Sequence, residues 1–462
     1  MQAALEPFRQ AHRAMNGYEV ADSLKPIAPR HDPGRLYTFY RASNAHQVES
    51  EIRYALKYSK SSGLTRNESS AWTEVLVSYW KAIGEILAIE EATNQGRLCD
   101  GQWTAVYDAW KEVTNNLIKH YSNGNLPAWT IVCLYVAGTY LRTFAIKADE
   151  QLAKAKGGVT FNSGFQDDVV DSMAKNEKLE DAARQLNRMF SLCIGDRNPI
   201  MESRKWGTYY MANLQFKTYF KLKAIGLSKN VVRSINASDL PPLENFPKSH
   251  QVTFKYYTGV LAFLQEDYAQ AETHLTEAWR LCHKDATKNQ ELILTYLIPC
   301  RLVARHTVPT SALLAHFPHL QQLFSPLVTC IKRGDLSGFD NALIACEDEF
   351  VKRRIYLTLE RTRDIALRNL LRKVFIAGGY EPLKEGQTDA DRIRRTRIPV
   401  AEFAAAFRIG MSGEGTGQVL EDDEVECMIA NMIYKGLLKG YISRERSMVV
   451  LNKKGAFPGT GV

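Results

Sequence analysis

Apolar residues recur three and four positions apart along most of the chain. That spacing predicts helices over 45–60, 66–93, 102–121, 128–155, 173–194 and 201–225. Turn-forming runs separate them: SSG at 61–63, NQG at 94–96, SNGNLP at 122–127, KGG at 156–158 and GDRNP at 195–199. Successive helices with short links argue for stacked helical hairpins rather than a sheet protein. The run FKYYTGVLAFLQEDYAQAETHLTEAW, 254–279, reads as one such hairpin. Tyr257, Gly259 and Phe263 fall on its first helix, and Tyr268, Ala271, Leu275 and Ala278 on its second. Small residues at Gly259, Ala271 and Ala278 let two helices approach closely, as in a tetratricopeptide-type unit. One unit cannot cover its own faces, so helices at 201–225, 229–236 and 286–305 are expected to stack beside it.

Two further helices are expected about GD at 334–335. One long helix is expected over 352–375, with Ile355, Leu359, Ala366, Leu370 and Val374 as its apolar stripe and GGY at 378–380 as its stop. The pattern changes after 380. A polar run, EPLKEGQTDADRIRRTR, leads to a short element at 398–410, a GEGTG loop at 413–417 and a helix over 424–438. Strand-like segments follow at 441–444 and 448–452. Three short helices and then a two-stranded hairpin is the order of a winged helix, with 441–452 as the wing. The fold class is therefore all-α with a small β wing: TPR-like repeats capped by a C-terminal winged helix. The expected divisions are helical repeats over 1–200, a second helical-repeat part over 201–380 and the winged helix over 381–458.

Composition agrees with a globular chain that needs no metal or disulfide to fold. Of 462 residues, 45% are hydrophobic and 24% charged, with 16 prolines. Eight cysteines lie at least sixteen residues apart, which excludes zinc-knuckle spacing and reads as reduced core positions in an intracellular protein. The N-terminal twenty residues have no signal-peptide core. The most apolar stretch, 126–141, contains Pro127 and falls short of the roughly 20 residues a membrane span needs, so no membrane contact is expected.

The formal charge is +8, and its distribution matters more than its size. Between 352 and 397 thirteen basic and six acidic residues leave +7. Part of that excess is expected to be solvated helix faces and internal ion pairs. Arg394, Arg395 and Arg397 adjoin the winged helix, and Lys435, Lys439, Arg444, Arg446, Lys453 and Lys454 form a second basic group on it. Lys435 and Lys439 are spaced to share one face of a helix, and Arg444 and Arg446 sit at the wing's turn. These nine are the candidate nucleic-acid-binding residues, suited to phosphate contacts of low sequence specificity. Gly440 is expected to cap the preceding helix and Gly436 to pack tightly within it.

Other motifs carry no chemistry. GEGTG lacks a preceding strand and a following Lys-Ser or Lys-Thr, so neither nucleotide-binding spacing is present. Asp422, Asp423 and Glu424 open a helix, where carboxylates offset its dipole. His316 and His319 are separated by Pro318, with no carboxylate nearby in sequence. No GxSxG, metal set or cofactor motif occurs, so no catalytic residue, metal or cofactor is assigned.

The tail DDEVECMIANMIYKGLLKGYISRERSMVVLNKKGAFP, 422–458, resembles one branch of the PCI-domain family. That branch holds the PCI subunit of the nuclear messenger-RNA export complex and the signalosome-associated paralogue often called subunit twelve. The matching residues are Ala430, Asn431, Ile433, Gly436, Lys439, Gly440, Tyr441, Ile442 and Ser443. RNLLRKVF at 368–375 resembles the end of the branch's long helix, while KKGAFP departs slightly from its NPFP-like tail. The resemblance implies a non-catalytic scaffold subunit in messenger-RNA export or transcription-coupled processing, located in nucleus and cytoplasm. It implies a larger PCI-containing partner, a small acidic DSS-type subunit and binding of RNA or single-stranded nucleic acid. The alternative is a signalosome-associated scaffold acting only through protein contacts. An enzyme with an unrecognised site is the third reading.

Overall fold

The computed structural model describes residues 1–57, 63–96, 101–157, 176–382, 392, 394–410 and 421–461. The GEGTG loop and most of the polar run after 382 lie outside the described residues. Helices dominate, with one three-stranded sheet near the C-terminus. The chain divides into two compact units, Met1–Tyr257 and Thr258–Val462.

The first unit is built on long helices at Arg66–Asn94, Gln102–Ser122, Val132–Gly157, Glu177–Ile194 and Thr208–Lys221. Thr65 starts the first of these with a capping box: its hydroxyl accepts from the Glu68 N–H at 3.2 Å, and the Glu68 carboxylate accepts from the Thr65 N–H at 2.8 Å. Trp72, Tyr107, Trp110 and Tyr121 are fully buried among these helices. Two of these rings have their polar atoms satisfied inside: Trp110 Nε1 donates to the Ala137 carbonyl at 2.9 Å and Tyr121 Oη to that of Thr130 at 2.6 Å, whereas Trp72 Nε1 is buried without a partner. The stretch Ala128–Lys154 is long and apolar enough to cross a membrane, but most of it is buried in this unit, as a core helix is.

The helix expected over 201–225 begins later. Residues 200–207 form two 3-10 turns, and the α-helix starts at Thr208. The Asp196 carboxylate accepts from Ser203 Oγ at 3.0 Å, from the Arg204 N–H at 2.7 Å and from Arg204 Nη2 at 2.8 Å. These bonds fix a corner that competes with helix extension.

In the second unit the expected hairpin is present. The helices Lys248–Leu264, inside which this unit begins, and Tyr268–Leu281 are joined by a turn with Asp267 as N-cap. A Cβ on Gly259 would lie 2.7 Å from Leu275 Cγ, so the small residue sets the approach of the pair. Helices Pro318–Arg333 and Leu336–Ala345 flank Gly334, which is left-handed at φ 65°, and Asp335, whose carboxylate accepts from the Gly338 N–H at 2.8 Å.

The single helix expected over 352–375 is instead three pieces: Glu347–Lys352, Tyr356–Glu360 and Arg363–Ala377. Arg354 adopts the left-handed region at φ 59°, and the turn it makes seats Ile355 in the core. The last piece ends at Gly378-Gly379, as the sequence indicates.

The winged helix follows. Strand β1 (Arg397–Pro399) runs into helices Val400–Gly410 and Asp422–Tyr434, and then into β2 (Gly440–Ser443) and β3 (Met448–Leu451). The sheet order is β1-β3-β2, all antiparallel, so β1 and β2 are its edges. Ala456 and Phe457 are buried beyond it; Phe457 meets Phe375 at 5.7 Å between ring centroids. The tail thus keeps its aromatic anchor despite lacking the asparagine-proline step.

Candidate functional site

The helix Asp422–Tyr434 ends four residues earlier than its pattern suggests. Gly436, at φ 70°, is the left-handed stop; its N–H bonds the Ile433 carbonyl and that of Leu437 the Met432 carbonyl, a Schellman motif. Gly440 belongs to β2, where a Cβ would collide with the Val450 carbonyl oxygen. The expected roles of the two glycines are therefore exchanged. Lys435 is the helix C-cap and Lys439 lies beyond the turn, so they do not share a helical face.

Several of the candidate cations are already occupied within the fold. Lys435 Nζ lies 2.6 Å from Asp364 on the Arg363–Ala377 helix. Arg444 lies 3.4 Å from Asp423 and 3.6 Å from Glu426, so the acidic helix start meets the wing as well as capping its own dipole. Arg395 pairs with Glu402 at 3.1 Å. Arg394 lies over the Tyr380 ring, 4.8 Å from its centroid, and its Nη1 reaches the Ile376 carbonyl at 3.5 Å. The apparent excess upstream is also reduced by distant acids: Arg361 pairs with Glu266 and Arg363 with Asp340, both at 2.8 Å. The second histidine of HFPHL likewise has a carboxylate that is distant in sequence, Glu291 at 2.9 Å. Among the described residues no group of three His, Cys, Asp or Glu side chains could hold a metal.

Arg397, Lys439, Arg446, Lys453 and Lys454 are exposed and have no carboxylate partner among the described residues. Strand register sets one of them, Arg397, in line with an aromatic residue. Arg397 pairs with Val450, which pairs with Tyr441, making one row across all three strands. Ile398 and Val449 are buried beneath the sheet, so this row faces outward. Asn452, just past the end of β3 and exposed, donates its N–H to the Lys439 carbonyl at 3.0 Å. Tyr441 is 63% exposed, and Tyr434 at the helix end is 91% exposed. Neither tyrosine stands out as a site residue in the sequence; an aromatic among cations on alternating strand positions is the available signal. The arrangement offers phosphate-binding charge beside planar rings and no reacting group.

Comparison with known proteins gives the class first: residues 339–453 match the PCI domain. Over full length the chain is similar to the Protein CSN12 homolog of Gibberella zeae, 53% identical over 469 residues and covering 100% of each chain. It is 36% identical to the Protein CSN12 homolog of Schizosaccharomyces pombe over 393 residues, covering 85% of this chain and 84% of the other. It is 32% identical to PCI domain-containing protein 2 of Xenopus laevis over 348 residues, covering 75% and 77%. The chain belongs to the PCI-domain family, in the branch of the CSN12 homologs and PCI domain-containing protein 2.

Proposed function

We propose that this protein is a non-catalytic scaffold subunit of a signalosome-associated assembly, acting through protein contacts. The full-length similarity to proteins named CSN12 homolog carries the reading. The edges of the winged-helix sheet suit a larger PCI-containing partner, which would extend β2 or β1 by strand addition. A small acidic DSS-type subunit is the second expected partner, with the assembly in nucleus and cytoplasm. Tagging the chain in its own cells and identifying co-purifying proteins tests the reading. Recovery without any PCI-containing protein would refute it.

The outward row Arg397–Val450–Tyr441 favours a second reading, in which the assembled subunit also holds RNA or single-stranded nucleic acid, as a messenger-RNA export role would need. Its test is filter binding of single-stranded RNA to the assembled complex. Changing Lys439, Arg446, Lys453 and Lys454 to Gln should flatten the salt dependence by roughly 0.7 for each phosphate no longer neutralised. An unchanged slope would remove the nucleic-acid role and leave the protein-contact reading.

A further inference from the structure

The Arg363–Ala377 helix carries two arginines, one turn apart, that the described residues around them do not compensate. Arg368 is only 5% exposed and Arg372 is half-buried. The Nε of each is buried without a hydrogen-bond partner. Arg368 Nη2 makes one long contact, 3.4 Å to Asn369 Oδ1, and Asn369 is itself held by donating to the Ile331 carbonyl at 2.8 Å. Neither arginine meets a carboxylate among the described residues. Burial, and then Arg372, hold the Arg368 guanidinium below its ordinary value; burial, and then Arg368, do the same to His306, the left-handed cap of the Thr287–Arg305 helix.

A buried guanidinium is ordinarily paired, because an uncompensated interior charge costs several kcal/mol. Along this same helix the other charged positions have found partners: Arg363 with Asp340 and Asp364 with Lys435. Arg368 and Arg372 are spaced at i and i+4, so their guanidinium groups lie on one face. Two planar forks on one face, beside an imidazole, are a receptor for an oxyanion. A phosphodiester is flanked on both sides by ribose and cannot reach a nearly covered guanidinium. A carboxylate on one or two methylenes can.

We propose that Arg368 and Arg372, with His306 near Arg368, receive an Asp or Glu carboxylate from an acidic peptide segment of a binding partner. The proposal rests on the scaffold reading for the existence of such a partner. Its test uses the purified full-length chain and poly-L-glutamate, so failure here leaves the co-purification result standing.

Poly-L-glutamate should bind in fluorescence anisotropy and raise the Tm of the wild-type chain. Arg372→Gln should weaken binding about tenfold, the worth of one charge-assisted hydrogen bond. Arg368→Met should abolish the ligand-induced shift while raising the Tm of the free chain, because it removes a charge the free chain leaves uncompensated. The exposed pair Lys284→Gln and Lys288→Gln, outside both proposed sites, should leave binding unchanged. Binding that survives Arg372→Gln but falls with the Lys284 and Lys288 changes would overturn the site in favour of general surface charge. A lower Tm for free Arg368→Met would overturn it too, by showing that the charge is already compensated. Loss of single-stranded RNA binding in Arg372→Gln, with polyglutamate binding intact, would assign the arginines to phosphate instead.

Discussion

An alanine at position 436 would place its Cβ in open space, whereas one at position 440 would drive it into the Val450 carbonyl. The first change carries only the strain of the left-handed backbone, about 1 kcal/mol. The second separates β2 from β3. In urea denaturation Gly436→Ala should cost about 1 kcal/mol, and Gly440→Ala clearly more. Equal costs would contradict the assigned roles. Two buried groups of the first unit make its stability pH-dependent. Burial, then Lys217, lowers the His250 imidazole from 6.5 to about 4. Between those values the unfolded chain takes up a proton that the folded one refuses, so stability falls as pH falls. Burial would raise the Asp196 carboxyl, but hydrogen bonds from Arg204 and Ser203 overcome it and lower it from 3.8 to about 2. Its contribution is present above 3.8 and lost as pH falls toward 2. His250→Leu should flatten the upper window of a Tm-against-pH curve and leave the lower one. Asp196→Asn should do the reverse.

At the scale of elements, the helical pair around Gly259 is set by side-chain volume. Gly259→Ala should push the pair apart at Leu275 and cost about 1–3 kcal/mol despite alanine's better helix propensity. Adding Leu275→Ala should recover part of that loss in a double-mutant cycle; strict additivity would argue against close packing here. The helical periodicity makes most such elements legible, including the hairpin at 254–279 and the helices-then-wing order, although two short helices rather than three precede the wing among the described residues. What stays hidden lacks a local signal. Arg354 breaks a helix from a residue type that rarely adopts φ above zero, and the corner at 196–204 depends on one carboxylate gathering three donors. Strand β1 is three residues long and pairs with a strand about fifty positions later, so neither it nor the Arg397–Val450–Tyr441 row is legible from local pattern. For the same reason the charge sum over 352–397 overstates the basic surface: Glu266 and Asp340 neutralise it from outside the window. The aromatic-rich stretch at 129–144 is largely covered within the first unit, where Leu134, Tyr135, Leu141 and Phe144 are core residues.

For the whole molecule, the family and the open edges of the sheet support the proposed work of holding partners. Tyr441 on β2 is exposed, so Tyr441→Glu should spare folding while placing a charge at the edge where a partner strand would add. The most direct measurement is quantitative affinity purification of tagged wild type and Tyr441→Glu from native cells. A PCI-containing subunit and a small acidic protein should accompany the wild type. The PCI subunit should be depleted several-fold with Tyr441→Glu while thermal stability is unchanged. Recovery of the wild type without either partner would contradict the scaffold function.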